Sequence, residues 1–382
     1  MTQTLTGLYK KIAFVSNSAW SVYNFRLDVI EMLLDQGHEV IVLAPDDNFS
    51  QKLTDLGCRF IALDFNNKTA NPISDYRFYR QLRKIYHELK PDHIFHYVIK
   101  PNIYGTLAAA AENIPSTAVI TGLGYAFAKT NWLSRFVQMM YKKSLHKASE
   151  VWFLNNEDAS VFLNRGLVNI EKIKVLPGEG INIRHFTRGE SSRKRNQRKF
   201  TFLMSARLLK SKGVALYADA ARILLKKNYD VSFNLIGFFE EGHPDSISPD
   251  TIKKWEDEGL IQYKGFARDV RIFLNNADCF VFPSYYKEGV PRSLMEAASM
   301  ELPVITAYNR GCKEVVLNNS TGFLCRSNNP FDLADKMEKM INMSDEDRLR
   351  MGRNGRMHIM RKFDVEQVKE VYVQTLSANH PD

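Results

Sequence analysis

Short apolar runs alternate with amphipathic segments along most of the chain. Runs such as KIAFVS (11–16) and EVIVLA (39–44) predict strands that are buried on both faces. Residues 22–36 carry apolar side chains at helical spacing, and this pattern ends before Gly37. The pattern predicts a helix with a glycine cap. Strands that alternate with helices at this spacing predict a doubly wound α/β domain with a parallel sheet.

The remaining apolar pattern completes two such domains. The first half adds helices at 48–56, 74–89 and 131–148, and strands at 60–63, 92–98, 118–122 and 151–154. A second series has strands at 200–206, 231–237, 261–266, 279–284, 303–308 and 322–326, and residues 345–377 are predicted to be helical. The polar, basic stretch 174–199 between the two series is typical of a domain connection. We therefore predict domains at 1–180 and 181–363.

Composition and charge narrow the class of protein. The chain has 382 residues and a net charge of +9, which favours an anionic partner such as a phosphate-bearing substrate, anionic lipid or nucleic acid. No apolar run reaches the ~20 residues of a membrane span, and the first residues lack the apolar core of a signal peptide. We expect a cytoplasmic protein. The four scattered cysteines predict buried thiols rather than a metal site or disulfides.

The stretch 280–305 combines a predicted strand, loop, helix and strand with two carboxylates. Glu288 lies on the loop at the carboxyl end of the strand, and Glu296 lies about two helical turns further on. Ligands bind outside the carboxyl ends of strands in open α/β sheets, so both carboxylates can face such a crevice. The alternative is that both are ordinary solvated side chains.

The motif E-G-V-P-R-S-L-M-E, followed by A-A-S-M-E-L-P-V-I, resembles the E-x7-E string of retaining family 4 (group 1) glycosyltransferases. The resemblance implies the GT-B fold, which has two Rossmann-like domains and a cleft between them. It also implies a nucleotide-sugar donor, expected to be a UDP-sugar, in the C-terminal domain and an acceptor in the N-terminal domain. A last helix at about 364–378 would cross back to the N-terminal domain.

The same resemblance assigns roles to residues of the second domain. Glu288 would position the donor sugar and balance charge, and Glu296 would accept hydrogen bonds from the ribose diol. The string 205–213, SARLLKSKG, resembles G-R-L-x-x-x-K-G and implies that Arg207 and Lys212 stabilise the leaving diphosphate. Further donor contacts are implied for Gly237, Phe266, Gly289, Val290, Pro291, Ser18 and Ala19. Without the resemblance, Arg207 and Lys212 form only a basic surface loop.

The acceptor is expected at the strand ends of the first domain. Arg26 and Lys100 are candidates to contact an acceptor phosphate, with an ordinary surface cation as the alternative for each. Gly122 and Gly124 stand in a G-L-G string where many family members have a histidine. This variant resembles enzymes that extend polyprenyl-diphosphate-linked sugars in bacterial surface or protein glycans. His93 and His96 are interpreted as histidines of the core or of a strand end.

Two further expectations concern the membrane and metals. Residues 132–147 form a basic amphipathic segment, which predicts either peripheral contact with an anionic inner membrane or ordinary packing on the sheet. No D-x-D string accompanies the donor motifs, so we expect no required metal and no other cofactor. The alternative functions are transfer to a soluble glycan, nucleotide-sugar epimerisation, or binding of nucleic acid by the basic stretch 184–199.

Overall fold

The apolar runs of the sequence form two parallel β-sheets in the computed structural model of the protein. The structure describes residues 9–64, 71–123, 127, 131–189, 199–240, 242–286 and 288–378. The chain divides into two compact units: Met1–Glu179 with Glu366–Asp382, and Gly180–Val365. Each unit has one sheet, covered by helices that connect its strands. The prediction of two doubly wound α/β domains is therefore confirmed.

The sheet of the first unit has seven parallel strands. They are β1 (Lys11–Val15), β2 (Glu39–Ala44), β3 (Arg59–Ala62), β4 (His93–Tyr97), β5 (Ser116–Ile120), β6 (Glu150–Phe153) and β7 (Ile173–Val175). Their order is β3-β2-β1-β4-β5-β6-β7. Because the direction of the strand order reverses between β1 and β4, the crevice for a ligand is expected outside the carboxyl ends of these two strands.

Six helices connect the strands of the first unit. They are α1 (Ala19–Asp35), α2 (Ser50–Asp55), α3 (Pro72–Leu89), α4 (Thr106–Ala111), α5 (Trp132–Leu145) and α6 (Asn156–Asn164). A five-residue π-helical segment, Pro101–Gly105, leads into α4.

The second unit repeats this plan with six parallel strands. They are β8 (Phe200–Ser205), β9 (Val231–Ile236), β10 (Gln262–Tyr263), β11 (Cys279–Phe282), β12 (Val304–Ala307) and β13 (Gly322–Cys325). Their order is β10-β9-β8-β11-β12-β13, which places the reversal between β8 and β11. The helices are α7 (Val214–Lys226), α8 (Pro249–Asp257), α9 (Arg271–Asn275), α10 (Arg292–Ser299), α11 (Cys312–Val315), α12 (Pro330–Asn342) and α13 (Asp345–Lys362).

The last helix, α14 (Val365–Ala378), packs into the core of the first unit. Its buried side chains Val368, Tyr372 and Leu376 lie in one apolar cluster with residues of β1, β4 and β6. The Tyr372 ring makes an edge-on contact with Trp152, with 4.8 Å between the ring centroids. Aromatic burial of this kind attaches the end of the chain to the first sheet.

Two helices begin earlier than predicted, because a capping residue precedes the apolar pattern of each. α1 begins at Ala19 rather than residue 22, because the Ser18 hydroxyl accepts a hydrogen bond from the Ser21 amide at 3.1 Å. α3 begins at Pro72 rather than residue 74, because the Asn71 side chain caps it. In both cases a polar residue before the apolar pattern extends the helix.

The predicted helix over 345–377 is interrupted. The Phe363 carbonyl accepts a hydrogen bond from the Ile181 amide at 2.8 Å, and the Val365 amide donates to the Ile181 carbonyl at 3.1 Å. These backbone groups pair with another segment rather than with the helix, so α13 ends and α14 begins here.

Candidate active site

The predicted donor residues of the second unit follow neighbouring strands. Arg207 and Lys212 come after β8, Gly237 comes directly after β9, and Glu288 follows β11. β8 pairs with both β9 and β11, so these residues share the carboxyl edge of the sheet. Since the strand order reverses between β8 and β11, Lys212 and Glu288 both stand beside the expected ligand crevice.

Lys212 and Glu288 form a close ion pair. The Lys212 ammonium donates to both carboxylate oxygens of Glu288, at 2.6 and 2.8 Å. Both side chains are largely shielded from solvent, so each charge needs the other to offset its desolvation. The Ser284 hydroxyl donates a third hydrogen bond to this carboxylate, at 2.6 Å. The result is an ionic cluster with little freedom to move.

Two glycines allow the loops around this pair to touch. Gly213, which precedes α7, has a φ of 81°, and an added Cβ would lie 2.4 Å from the Pro283 carbonyl oxygen. Gly311 approaches the Gly289 carbonyl so closely that an added Cβ would lie 1.1 Å from its oxygen. The loop that carries Glu288 is therefore packed against backbone on both sides.

Arg207 has a different partner from Lys212. Its guanidinium donates to Glu240 at 2.7 Å, and its side chain is 41% exposed. The partly exposed guanidinium keeps donors available for a phosphate group. Glu240 was not identified from the sequence, because it follows β9 in a stretch that matches no motif.

Glu296 lies within α10 and is mostly buried. The Arg292 guanidinium donates to its carboxylate at 3.1 Å, one helical turn away. Burial raises the pKa of Glu296, while the charge and hydrogen bond of Arg292 lower it. A carboxylate with one fixed donor keeps further acceptor positions for hydroxyl groups.

The other predicted donor contacts of this unit differ in their burial and in the residues that they contact. An added Cβ at Gly237 would lie 1.9 Å from the Ala206 carbonyl oxygen, so glycine is required for packing against the end of β8. Phe266 is 55% exposed and makes an edge-on contact with Phe238. Val290 is buried, and Pro291 directly precedes α10 rather than lying in its first turn.

In the first unit, Ser18 and Ala19 lie at the start of α1. The Ser18 hydroxyl caps the helix, and Ala19 is fully buried. Gly122 follows β5 at the carboxyl edge of the sheet, with a φ of 156°. Gly124 lies outside the described residues.

Arg26 is buried rather than placed on the surface. Its guanidinium donates to Glu179 at 2.6 Å and stacks on the Tyr97 ring, 4.1 Å from the centroid. The Tyr97 hydroxyl lies 2.5 Å from the Tyr372 hydroxyl of α14. The charge of Arg26 is thus balanced within the unit.

Lys100 is also paired. Its ammonium lies 2.8 Å from the Asp75 carboxylate of α3, and both side chains are mostly buried. Lys100 follows β4, so it stands beside the reversal of strand order in this unit. Neither Asp75 nor Glu179 was identified from the sequence as a partner.

The two histidines of β4 belong to the core, as the sequence predicted. His93 contacts Thr117 and His96 contacts Tyr86, each at 2.9 Å. Burial lowers the pKa of both histidines to about 3. They are therefore neutral at physiological pH.

The outer face of α5 exposes large apolar side chains beside cations. Trp132 is 77% exposed and Met139 is 58% exposed, and Phe136 lies between them. Arg135, Lys142 and Lys143 are exposed on the same helix. Among the described residues, no helix combines the length and apolar character needed to cross a bilayer.

The described parts of the chain contain no group of three or more His, Cys, Asp or Glu side chains that could hold a metal ion. All four cysteines are buried and free, as the sequence predicted. Of the basic stretch 184–199, residues 190–198 lie outside the described residues.

Family models match both halves of the chain. Residues 187–358 match the glycosyl transferases group 1 model, and residues 11–155 match a glycosyl transferase 4-like model. The first match contains Arg207, Lys212, Glu288 and Glu296.

Two curated relatives extend over most of the chain. The N,N'-diacetylbacillosaminyl-diphospho-undecaprenol alpha-1,3-N-acetylgalactosaminyltransferase of Campylobacter jejuni is 31% identical over 95% of this chain and 97% of the relative. The UDP-Gal:alpha-D-GlcNAc-diphosphoundecaprenol alpha-1,3-galactosyltransferase of Escherichia coli is 27% identical over 79% of this chain and 80% of the relative.

Solved structures share the whole fold. A glycosyltransferase from Rickettsia africae superposes with a TM-score of 0.80 at 18% identity, covering 98% of this chain and 99% of its own. Anabaena Alr3699/HepE in complex with UDP-glucose has a TM-score of 0.79 at 20% identity, covering 97% of this chain and 100% of its own. The predicted GT-B fold is confirmed.

Proposed function

This chain belongs to the group 1 glycosyltransferases, and from that premise we propose that it is a retaining enzyme that extends a polyprenyl-diphosphate-linked sugar. The proposed donor is a nucleotide-sugar, in particular a UDP-sugar, carrying a hexosyl or N-acetylhexosaminyl group. The observation that supports it most is the Lys212–Glu288 pair at the reversal of strand order in the second unit. The named acceptors of the two curated relatives support the acceptor class.

The donor diphosphate is the leaving group in this proposal. Lys212 supplies a compact positive charge and Arg207 a planar fork, and both follow β8. As the bond to the sugar breaks, negative charge develops on the diphosphate, and fixed cations stabilise it most at that moment. Glu288 holds the Lys212 ammonium in place through two short hydrogen bonds.

The proposed transfer proceeds on one face of the sugar. The bond between C1 and the diphosphate oxygen breaks, and the acceptor hydroxyl oxygen bonds to C1 on the same face. The hydroxyl proton passes to the leaving diphosphate oxygen, so no separate base is required. Glu288 positions the donor sugar and balances its charge rather than removing this proton.

Other residues of the second unit would hold the nucleotide. Glu296 would accept hydrogen bonds from the ribose diol, and Arg292 would keep its carboxylate oriented. The remaining donor contacts proposed in this unit are Gly237, Phe266, Gly289, Val290 and Pro291. Ser18 and Ala19 are the donor contacts proposed in the first unit.

The acceptor would bind the first unit at the carboxyl ends of its strands. Lys100 would contact the acceptor diphosphate, and Gly122 and Gly124 would let the sugar approach the backbone. Arg26 is a second candidate for this contact, although Glu179 already holds its guanidinium. A soluble glycan is the alternative acceptor.

We further propose peripheral contact with the cytoplasmic face of an anionic membrane. A polyprenyl acceptor is anchored in the bilayer, so the enzyme must reach the bilayer surface. The exposed apolar and basic side chains of α5 suit the interface between headgroups and acyl chains.

The proposal includes no required metal, because Arg207 and Lys212 supply the positive charge that a divalent cation otherwise brings to a diphosphate. Excess EDTA should leave the initial rate unchanged. A rate that falls to background and returns with Mg²⁺ or Mn²⁺ would contradict metal-independent transfer.

The direct test is transfer with defined substrates. The purified chain is incubated with a panel of UDP-sugars and a short polyprenyl-diphosphate-linked N-acetylhexosamine, and UDP release and glycolipid product are measured. NMR of the product gives the configuration at C1. Glu288→Gln serves as the control and should have strongly reduced turnover.

Each contrary outcome would overturn a different part of the proposal. An inverted product would overturn the retaining mechanism. Transfer to free glycans but not to the lipid-linked sugar would overturn the acceptor class. Binding of labelled RNA without any UDP release would overturn the enzymatic proposal and favour nucleic-acid binding.

A further inference from the structure

The carboxylate of Glu288 has a third hydrogen-bond donor that no sequence motif indicated. Ser284 lies two residues beyond β11, and its side chain is fully buried. Its hydroxyl oxygen lies 2.6 Å from Glu288 Oε1, the oxygen that also receives the shorter bond from Lys212. Glu288 is therefore held from two directions.

The single proton of the Ser284 hydroxyl has two possible acceptors. One is the Glu288 carboxylate at 2.6 Å, and the other is the Ser211 carbonyl at 3.2 Å. The shorter bond is to a charged acceptor and is therefore the stronger one. The hydroxyl oxygen also lies 3.3 Å from the Tyr286 amide, which donates to it. These contacts direct the proton towards Glu288.

Ser284 is itself fixed by its neighbours. The Asn309 side-chain amide, after β12, donates to the Ser284 carbonyl at 2.6 Å. On the other side, the Ser211 carbonyl accepts the amides of Tyr285 and Tyr286 at 3.0 and 3.3 Å. Ser211 is the residue before Lys212, so Ser284 lies between the turn that carries the lysine and the loop that carries the glutamate.

We propose that Ser284 is a positioning residue for sugar transfer. It fixes the Glu288 carboxylate so that the charge faces Lys212 and the bound donor sugar in one orientation. Without this hydroxyl, Glu288 keeps its bonds to Lys212 but loses its donor on the side of β11, so the carboxylate is held from one direction instead of two. The inference rests on the role proposed for Glu288 in the transfer.

The test combines Ser284→Ala with a matched control. Ser299→Ala removes another fully buried hydroxyl of the same unit, which donates to the Phe186 carbonyl at 2.8 Å and does not touch Glu288. Ser284→Cys keeps the shape of the side chain with a somewhat larger atom but supplies only a weak donor. kcat, donor KM and melting temperature are measured for each variant, with a UDP-sugar and the polyprenyl-diphosphate-linked acceptor.

Ser284→Ala should lower kcat by about ten-fold or more, because a buried hydrogen bond to a charged group is lost. Ser284→Cys should lower kcat in the same direction. Donor KM should stay close to that of the wild type, and the melting temperature should match that of Ser299→Ala. An unchanged kcat in Ser284→Ala would overturn the proposal.

The double variant Ser284→Ala/Glu288→Gln shows whether Ser284 acts through Glu288. Residual turnover is measured with enzyme in excess over acceptor. If Ser284 acts by positioning Glu288, the double variant should be no slower than Glu288→Gln alone. A further loss equal to that of Ser284→Ala alone would overturn the positioning role. Full activity of Glu288→Gln would instead overturn the proposed function of Glu288.

Discussion

Lys212 of the second unit and the two predicted cations of the first unit differ in the carboxylates with which they pair. In the second unit, Lys212 pairs with Glu288, and both residues belong to the strings that predicted the site. In the first unit, Arg26 pairs with Glu179 and Lys100 pairs with Asp75, and neither carboxylate belongs to a predicted site. An ion pair with a carboxylate therefore does not by itself distinguish a cation of the predicted site from a cation that only stabilises the fold.

Both cations are largely buried, and Arg26 is covered more completely than Lys212, with 3% against 12% of the side chain exposed. The Arg26 guanidinium is covered by the Tyr97 ring, and Tyr97 in turn contacts Tyr372 of α14. An aromatic face over a buried cation stabilises it without a ligand. Lys212 lies beside the reversal of strand order, where both members of the pair can face a ligand. The comparison leads us to expect a structural role for Arg26, and it agrees with the role in sugar transfer proposed for Lys212.

The largest expected effect is on stability. Arg26→Met should destabilise the first unit by about 3–5 kcal/mol, because the mostly buried Glu179 carboxylate loses the Arg26 charge that offsets its desolvation. Differential scanning calorimetry of the whole chain would measure the loss as a lower melting temperature. Arg26→Met/Glu179→Met, which removes both charges, should recover part of it.

The contrary result would change the assignment of Arg26. If Arg26→Met melts like the wild type and raises the acceptor KM, its guanidinium contacts the acceptor. The contrast between the two units would then disappear.

The second expected effect is on turnover. Lys212→Ala and Arg207→Ala should each lower kcat by roughly 10²-fold or more, as expected for a group that stabilises charge in the transition state. Initial rates at saturating donor would measure this loss. Lys210→Ala, in the same turn, is the control and should retain its rate. Near-normal turnover in Lys212→Ala would contradict its assignment to the diphosphate.

The strands were the most predictable part of the fold. Runs such as 11–16 and 279–284 are apolar because both faces of a parallel strand are covered. The apolar run alone is therefore enough to predict the strand. β10 is only two residues long although residues 261–266 were predicted, because a short edge strand needs few backbone bonds. The π-helical segment Pro101–Gly105 has no comparable pattern and was not predicted.

The candidate site was predictable only in part, because a sequence pattern indicates a contact between distant residues only where each of them lies in a motif. Glu288 and Lys212 are 76 positions apart, and a family motif surrounds each of them. Glu179 lies 153 positions from Arg26, and no motif joins them. Glu240 lies 33 positions from Arg207, whereas Ser284 lies only four positions from Glu288 but was not singled out by any motif. Motifs therefore identified the residues that we propose to contact ligands better than they identified the residues that hold those side chains in place.

The third prediction concerns donor affinity in the second unit. Glu296→Ala should weaken UDP binding by about 1–3 kcal/mol, because the ribose diol loses its acceptor. Titration calorimetry with UDP would measure this change. Arg292→Ala is the matched variant and should have a smaller effect, since it removes only the residue that orients the carboxylate. Unchanged UDP affinity in Glu296→Ala would contradict the ribose contact.

The smallest expected effect per residue concerns the outer face of α5. Each of Arg135, Lys142 and Lys143 should contribute about 1 kcal/mol of attraction to anionic headgroups, which is roughly five-fold in binding. Flotation with phosphatidylglycerol vesicles would measure this for Lys143→Ser. Lys253→Ser on α8 removes another exposed cation, one paired with Asp257, and serves as the control for net charge.

Salt distinguishes the charged contribution from the apolar one. The Debye length shortens to about 3 Å at 1 M salt, so the difference between Lys143→Ser and the wild type should vanish there. Trp132→Ser should reduce flotation at both salt concentrations, because burial of its ring is not screened. Equal flotation of Lys143→Ser and Lys253→Ser at low salt would mean that only the net charge of the chain acts. The α5 face would then be an ordinary solvated surface, and a soluble acceptor would become the better proposal.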